Sequence, residues 1–414
     1  MEAFSNTASL FLFIFLFLSF LSSSSSNATC NPIDRAALLH FKSKITHDPS
    51  NLLRTWNYST DCCTKWEGVA CNSVGRVVNV SRLGLFSGDD FITDTSMTGT
   101  LSSSLANLSS LQILNLSNLK DLSGPIPPQL GSLINLTHLY LDSNALTGQI
   151  PSTFQNLIHL EKLRLNSDRL LGVTPSIFQS LASLSELGLS RNSLSSNIPE
   201  TIGGLVSLDK LDLSANKIIR NIPSAIGELN KLTSLDLSNN QITGSIPPSI
   251  GRLSKLNTLD LSQNNHIGNS PTSIAYFKIS ENSLTGGIPP SIGQLTTIQR
   301  PFVSHWVNGS QSTYRGISWR GLLRFDDVGD RVAMDSIKHL VLSHNQIGGR
   351  IPESVMKLKN LVQFDVSENR LSGCIPEHIV SIPAANFRGN QLIMGWVEPL
   401  FLLANTLARK IEND

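Results

Sequence analysis

Charge is scarce in this 414-residue chain: Asp, Glu, Lys and Arg together make up 15%, and 32 basic residues against 31 acidic ones leave a formal net charge of +1. That balance excludes bulk steering toward nucleic acid or an anionic membrane, so a partner has to be chosen by local surface. Long apolar runs are missing after Leu21; no later stretch reaches the roughly eighteen consecutive apolar residues of a membrane-spanning helix. Catalytic signatures are missing too. The chain has no glycine-rich phosphate loop with its lysine, no His-Arg-Asp or Asp-Phe-Gly of a kinase, and no Gly-x-Ser-x-Gly elbow. Its nine histidines are scattered, with His138, His339 and His344 on or beside strand-like stretches where surface side chains are the default. The expectation is a binding protein without enzymatic activity, cofactor or metal.

Cysteine is rare and clustered: Cys30, Cys62, Cys63 and Cys71 lie together, and Cys374 stands alone. The opening residues explain where such a cluster would be oxidised. The apolar run Leu10–Leu21 followed by serines has the layout of a secretory signal peptide, expected to span 1–26 with cleavage between Ser22 and Asn27. In an oxidising compartment the four clustered cysteines read as two disulfides. Joining the vicinal Cys62 and Cys63 would be strained, so each is expected to pair outward, and Cys30–Cys62 with Cys63–Cys71 is the favoured arrangement. A zinc site is the rival reading, but no histidine lies at ligand spacing. Export also agrees with the glycosylation sequons at Asn27, Asn57, Asn79, Asn107, Asn115, Asn135 and Asn308.

What the chain has in abundance is a repeat. Leu133, Leu136, Leu139, Leu141, Asn144, Leu146, Gly148, Ile150 and Pro151 recur 24 residues on as Leu157, Leu160, Leu163, Leu165, Asp168, Leu170, Gly172, Thr174 and Pro175, and again from Leu181. The register continues through Leu205, Leu229 and Leu253 to Pro271. Each position has a physical role. The Leu-x-Leu pair alternates apolar and polar and is therefore a short strand, and the earlier leucines fill the interior of the same coil. The asparagine turns inward to satisfy backbone groups that a tight coil leaves unpaired, so Asn144, Asn192, Asn216, Asn240 and Asn264 are expected to stack as a ladder. Asp168 interrupts it, because a carboxylate accepts hydrogen bonds and does not donate as an amide does. Gly148 and Gly244 suit a turn at positive φ.

The pattern L-x-x-L-x-x-L-x-L-x-x-N-x-L-x-G-x-I-P resembles the plant-specific leucine-rich-repeat class. The segment around Cys30, Asp34–Phe41 and Asp61–Cys71 resembles the N-terminal capping domain of that class. The resemblance looks closest to soluble or receptor-like extracellular members, including polygalacturonase-inhibitor-like and DNA-damage-toleration-like ones. It implies an α/β solenoid: a right-handed leucine-rich-repeat superhelix of about ten coils, with a parallel β-sheet on the concave face and an N-terminal helical disulfide cap. It further implies a plant source, a place in the cell wall or at the plasma-membrane surface, and a role in defence or developmental signalling. In the cap helix Asp34 is the expected N-cap residue, with Leu38, Phe41 and Ile45 on one face.

The repeat breaks in two places. Only 18 residues separate Asn264 from Asn282, and no repeat is legible between Pro301 and about Ala333, after which Leu340, Leu342, Asn345 and Ile351 restore it. The interruption reads either as an inserted island that helps to bind a ligand or as coils lost by splicing. Beyond Pro376, Phe387-Arg-Gly-Asn390 matches the usual ending of the class, but no paired cysteine follows. The expected organisation is a signal peptide (1–26), a cap (27–75), a solenoid (76–299), an irregular insertion (300–333), final coils (334–376) and an atypical tail (377–414).

Ligand contact is expected from the outward residues of the strand face: His138, Tyr140, Asp142, Lys162, Arg164, Asn166, Glu186, Arg191, Lys210, Asp212, Asp236 and Asp260. A basic spot at Lys162, Arg164 and Arg191 gives way to acids one coil apart. The partner is expected to be a peptide or protein, such as a membrane receptor kinase or a secreted microbial enzyme.

Overall fold

In the computed structural model, residues 29–84, 95–173, 179–266, 276–278, 280–283, 339–358, 361–376 and 383–394 are described. The expected signal peptide, the 300–333 insertion, Asn27 and Asn308 lie outside them.

Helix α1 (Pro32–Ser43) begins after Asn31, whose side chain accepts the Ile33 N–H at 2.9 Å, with proline at the first helical position. Asn31, not Asp34, is therefore the N-cap. Asp34 is fully buried in the first turn, where it receives Nε (3.0 Å) and Nη2 (2.8 Å) of Arg76 and the Val77 N–H (2.8 Å). A partner 42 residues away claimed the carboxylate that local reading assigned to the helix end. Leu38 and Phe41 are buried, whereas Ile45 has left the helix for the strand Ile45–His47. Trp56 packs between Phe41 and Trp66, with ring centroids at 6.3 and 5.5 Å. Disulfides join Cys30 to Cys62 and Cys63 to Cys71, as expected.

From the cap onward each coil lays one short strand on a twelve-stranded sheet that runs from Val69–Cys71 to Gln363–Asp365. Its first pair is antiparallel and every later pair parallel. Leu139, Leu163, Leu187, Leu211, Leu235 and Leu259 are register partners and are buried, which is the 24-residue period made spatial. A nine-stranded sheet forms a second wall, from Ile45–His47 to Asn265–His266, and 3-10 turns such as Pro128–Ser132 and Ser224–Glu228 close the coils. Among the described residues α1 is the one α-helix, so the helical share of the solenoid is otherwise 3-10. Gly148 and Gly244 take φ of +79° and +75°, as their turns require.

The asparagine ladder forms. In Asn192, Asn216, Asn240 and Asn264, Nδ2 donates to the carbonyl 27 residues earlier, while Oδ1 accepts the N–H of Leu170, Leu194, Ile218 and Ile242, respectively. Asn144 Nδ2 likewise donates to Leu116 at 2.9 Å. Each amide thus satisfies a donor and an acceptor on neighbouring coils.

The sheet also crosses the irregular region. A 24-residue step from Phe277 would reach Pro301, yet the register partner of Phe277 is Leu340, and His339–Val341 is the next strand. At the far end, Asn386 replaces a further strand: Val366 N–H donates to its carbonyl (2.9 Å) and its Nδ2 donates to the Phe364 carbonyl (2.8 Å). Phe387 packs on Phe364 at 5.9 Å, and Asn390 adds a last rung, donating to Val366. Cys374 is a free, exposed thiol in the strand Arg370–Ile375.

Candidate ligand-binding face

On the concave sheet, alternation sends the first and third residues of each strand away from the core. The first-position row runs Ile113, His138, Lys162, Glu186, Lys210 and Ser234, and the third-position row runs Asn115, Tyr140, Arg164, Gly188, Asp212, Asp236, Asp260 and Lys278. Neighbours within a row sit about 4.8 Å apart, so their side chains interact from coil to coil.

The expected basic spot is organised differently from its sequence pattern. Arg164 donates through Nε to Glu186 at 2.7 Å, and its guanidinium lies 5.1 Å from the centroid of the Tyr140 ring. His138 meets the same ring edge-on at 5.7 Å. Arg164 is therefore held by an anion on one side and an aromatic face on the other, and the spot is closer to neutral than the row of Lys and Arg suggested. Glu186 lies on this face but is buried, with 6% of its surface exposed. Burial, reinforced by the Lys162 charge, lowers the His138 pKa. Burial pushes the Asp142 carboxyl up to about 6.

Gly188 has no side chain to offer the outward row, and a Cβ there would lie 2.6 Å from Asn166 Nδ2. Asn166 fills that space, is buried, and accepts from both N–H (2.9 Å) and Oγ (3.0 Å) of Ser190. In the following coils the residue two before the serine does this work: Asp212, Asp236 and Asp260 accept from Ser214, Ser238 and Ser262. Asn166 therefore substitutes for the aspartate that Gly188 lacks. Sequence reasoning missed Gly188 and Ser190, although a glycine in an outward strand position was the available signal. It also missed Lys278, which reaches Asp260 at 3.7 Å and ends the acidic row. Burial, followed by the flanking Asp260 and Asp212 charges, pushes the Asp236 carboxyl up to about 7.

The remaining expected residues are dispersed. Lys162 and Lys210 stand partly exposed in the first row. Arg191 is exposed in the turn beyond its strand, at a φ of +55°. Among the sequons, Asn107 and Asn135 are exposed, whereas Asn57, Asn79 and Asn115 accept hydrogen bonds from Ser59, Ser81 and Ser117. Among the described residues no helix is long and apolar enough to cross a membrane.

Family descriptions agree with this architecture: Leucine rich repeat N-terminal domain matches 31–72, Leucine rich repeat 158–218, Leucine Rich repeats (2 copies) 230–276, and Leucine Rich Repeat 135–157 and 336–358. The chain carries leucine-rich repeats behind an N-terminal leucine-rich-repeat cap, and in this it is similar to plant extracellular proteins. Similar proteins include the DNA damage-repair/toleration protein DRT100 of Arabidopsis thaliana, 33% identical over 28% of this chain and 32% of that protein. Polygalacturonase inhibitor 1 of Oryza sativa subsp. japonica is 31% identical over 32% of this chain and 37% of its own length. The chain thus spans about a third of the curated relatives it matches. Among solved structures, the Arabidopsis receptor kinase HAESA in complex with the peptide hormone IDA and the co-receptor SERK1 superposes with a TM-score of 0.62 and 28% identity, over 84% of this chain and 55% of that one.

Proposed function

We propose that this chain is an extracellular recognition module whose concave face binds a peptide or a protein loop in plant signalling or defence. The observation that carries this reading is the pre-organised cluster on that face: Arg164 fixed between Glu186 and Tyr140, continuous through the register with Asp212, Asp236 and Asp260. Aromatic and arginine side chains held in place before binding lose little conformational entropy on contact, and residues of these types dominate protein interfaces. A ligand lying across the strands would meet a new pair of side chains about every 4.8 Å. The likeness to HAESA, solved in complex with a peptide hormone, supports a peptide as the class of ligand.

The test fractionates plant extracellular peptides on the immobilised chain and measures each retained peptide, made synthetically, against wild type and the Lys162→Ala/Arg164→Ala double variant. Affinity should fall at least tenfold in the variant; unchanged affinity overturns the assignment of the face. The likeness to a polygalacturonase inhibitor favours a second reading, inhibition of a secreted cell-wall-degrading enzyme. That reading requires stoichiometric loss of polygalacturonase activity on adding the chain.

A further inference from the structure

Between Asn144 and Asn264 one rung of the ladder has the wrong chemistry. Asn192, Asn216, Asn240, Asn264 and Asn369 each donate Nδ2 to the main-chain carbonyls 27 and 3 residues earlier, and share it with the serine carbonyl two residues earlier. Counted back in the same way from position 168, the two carbonyls are those of Leu141 and Leu165. Asp168 stands there, 8% exposed; its Oδ1 accepts the Leu146 N–H at 2.9 Å, which is the amide oxygen's role in the other coils. Its Oδ2 occupies the position of the donating nitrogen, buried and without a hydrogen-bond partner. As a carboxylate, Oδ2 would set a negative oxygen among carbonyl oxygens, in a place where the rest of the ladder sets N–H groups.

We propose that Asp168 works as a neutral carboxylic acid whose proton on Oδ2 supplies the hydrogen bond that an amide supplies in the other coils, so that this one coil of the solenoid is fastened by a proton. The acid donates to the carbonyl of Leu141 or Leu165, and the ladder runs unbroken only while the proton is held. Loss of the proton leaves a buried, unpaired charge beneath the Lys162–Arg164 strand of the concave face.

The surroundings agree. Asp142, in the preceding coil, adds a second negative charge that disfavours ionisation; Asn144 and Asn192, the ladder neighbours on either side, are uncharged; and the adjacent Arg169 and Arg191 are both exposed. Burial, opposed by the Leu146 and Asn144 N–H groups and reinforced by Asp142, pushes the carboxyl up to about 8 from an ordinary 3.8. The folded chain thus binds this proton more tightly than the unfolded one. The contribution of Asp168 is most favourable below about pH 4, declines as pH rises toward about 8, and is constant above that.

The decisive comparison is with Asp168→Asn, which carries its donor at every pH. The thermal midpoint of this variant should match wild type near pH 4, exceed it by a growing margin up to about pH 8, and keep that margin above. The same widening is expected in an Asp142→Asn background, which removes the titration of the neighbouring acid. At pH 6, infrared difference spectra should show a protonated carboxyl band in wild type that Asp168→Asn lacks. Hydrogen exchange at the Leu146 amide should be faster in wild type than in the variant only above neutrality. A margin that does not vary between pH 4 and 9, absence of the carboxyl band, or failure of Asp168→Asn to fold would each overturn the proposal.

Discussion

The two ends of the described solenoid face one problem, a row of leucines and strand edges that need cover, and they meet it by different chemistry. At the N-terminal end the cover is built from α1, the Phe41–Trp56–Trp66 cluster, two disulfides and the ion pair of the buried Asp34 with the partly exposed Arg76. At the far end the described cover is a 3-10 turn, Ala384–Phe387, in which Asn386 mimics a strand and Phe387 fills the core, followed by Asn390, which imitates the ladder, and the strand Gln391–Met394, which pairs with Arg370–Ile375. The first end is closed by long-range covalent and ionic links, the second by continuing the grammar of the repeat without a cysteine. In a quasi-one-dimensional protein each end stabilises mainly its nearest coils, so the two should fail independently.

Four substitutions test that difference. Asp34→Ala leaves Arg76 without its anion and the Val77 N–H without its acceptor, and should cost about 3–5 kcal/mol. Urea unfolding followed by Trp56 and Trp66 fluorescence reads this loss at the N-terminal end. Phe387→Ala should cost about 3 kcal/mol and accelerate amide exchange across 363–394, with the tryptophan-detected midpoint unchanged. If that midpoint moves as far as the exchange does, the ends are coupled and the comparison fails. In the middle, Asn216→Ala strips the Leu194 N–H and the Leu213 carbonyl of ladder partners and should cost about 2 kcal/mol. A second, separate unfolding step in this variant would sharpen the picture of independent ends. Smallest is Asp236→Asn, which keeps the oxygen that serves Ser238 but removes a charge crowded by Asp212 and Asp260. Because burial and those neighbours raise the Asp236 pKa to about 7, wild type loses stability as pH climbs from about 4 to 7, and Asp236→Asn should show a flatter profile of thermal midpoint against pH.

Much of the fold was legible because the repeat encodes its own neighbours: Leu163 and Leu187 pair since they are 24 residues apart, and Asn216 turns inward since its amide meets backbone groups that the tight coil leaves unpaired. The face was less so. Alternation correctly sent Glu186 and Arg164 to the concave side, but a period cannot reveal that one buries the other, or that Asn166 fills the gap above Gly188. The helix start was misplaced for the same reason. Asp34 has the local credentials of a cap, and only the fold brings Arg76 to it. Whatever depends on a neighbouring coil's particular residue, and not on its position in the period, lies beyond single-sequence reading.

The direct pairing of Phe277 with Leu340 carries a consequence for engineering and for divergence. The two strands are neighbours on the sheet although they are not one repeat apart in sequence, and Ser280, Glu281 and Asn282 still make the backbone contacts of a coil to Gln263, Ser343 and His344. Closing a loop costs only about 0.6 kcal/mol for each doubling of its length. A linker or reporter domain inserted after Asn282 is therefore expected to leave the strands Tyr276–Lys278 and His339–Val341 in register, which amide exchange at Leu340 checks.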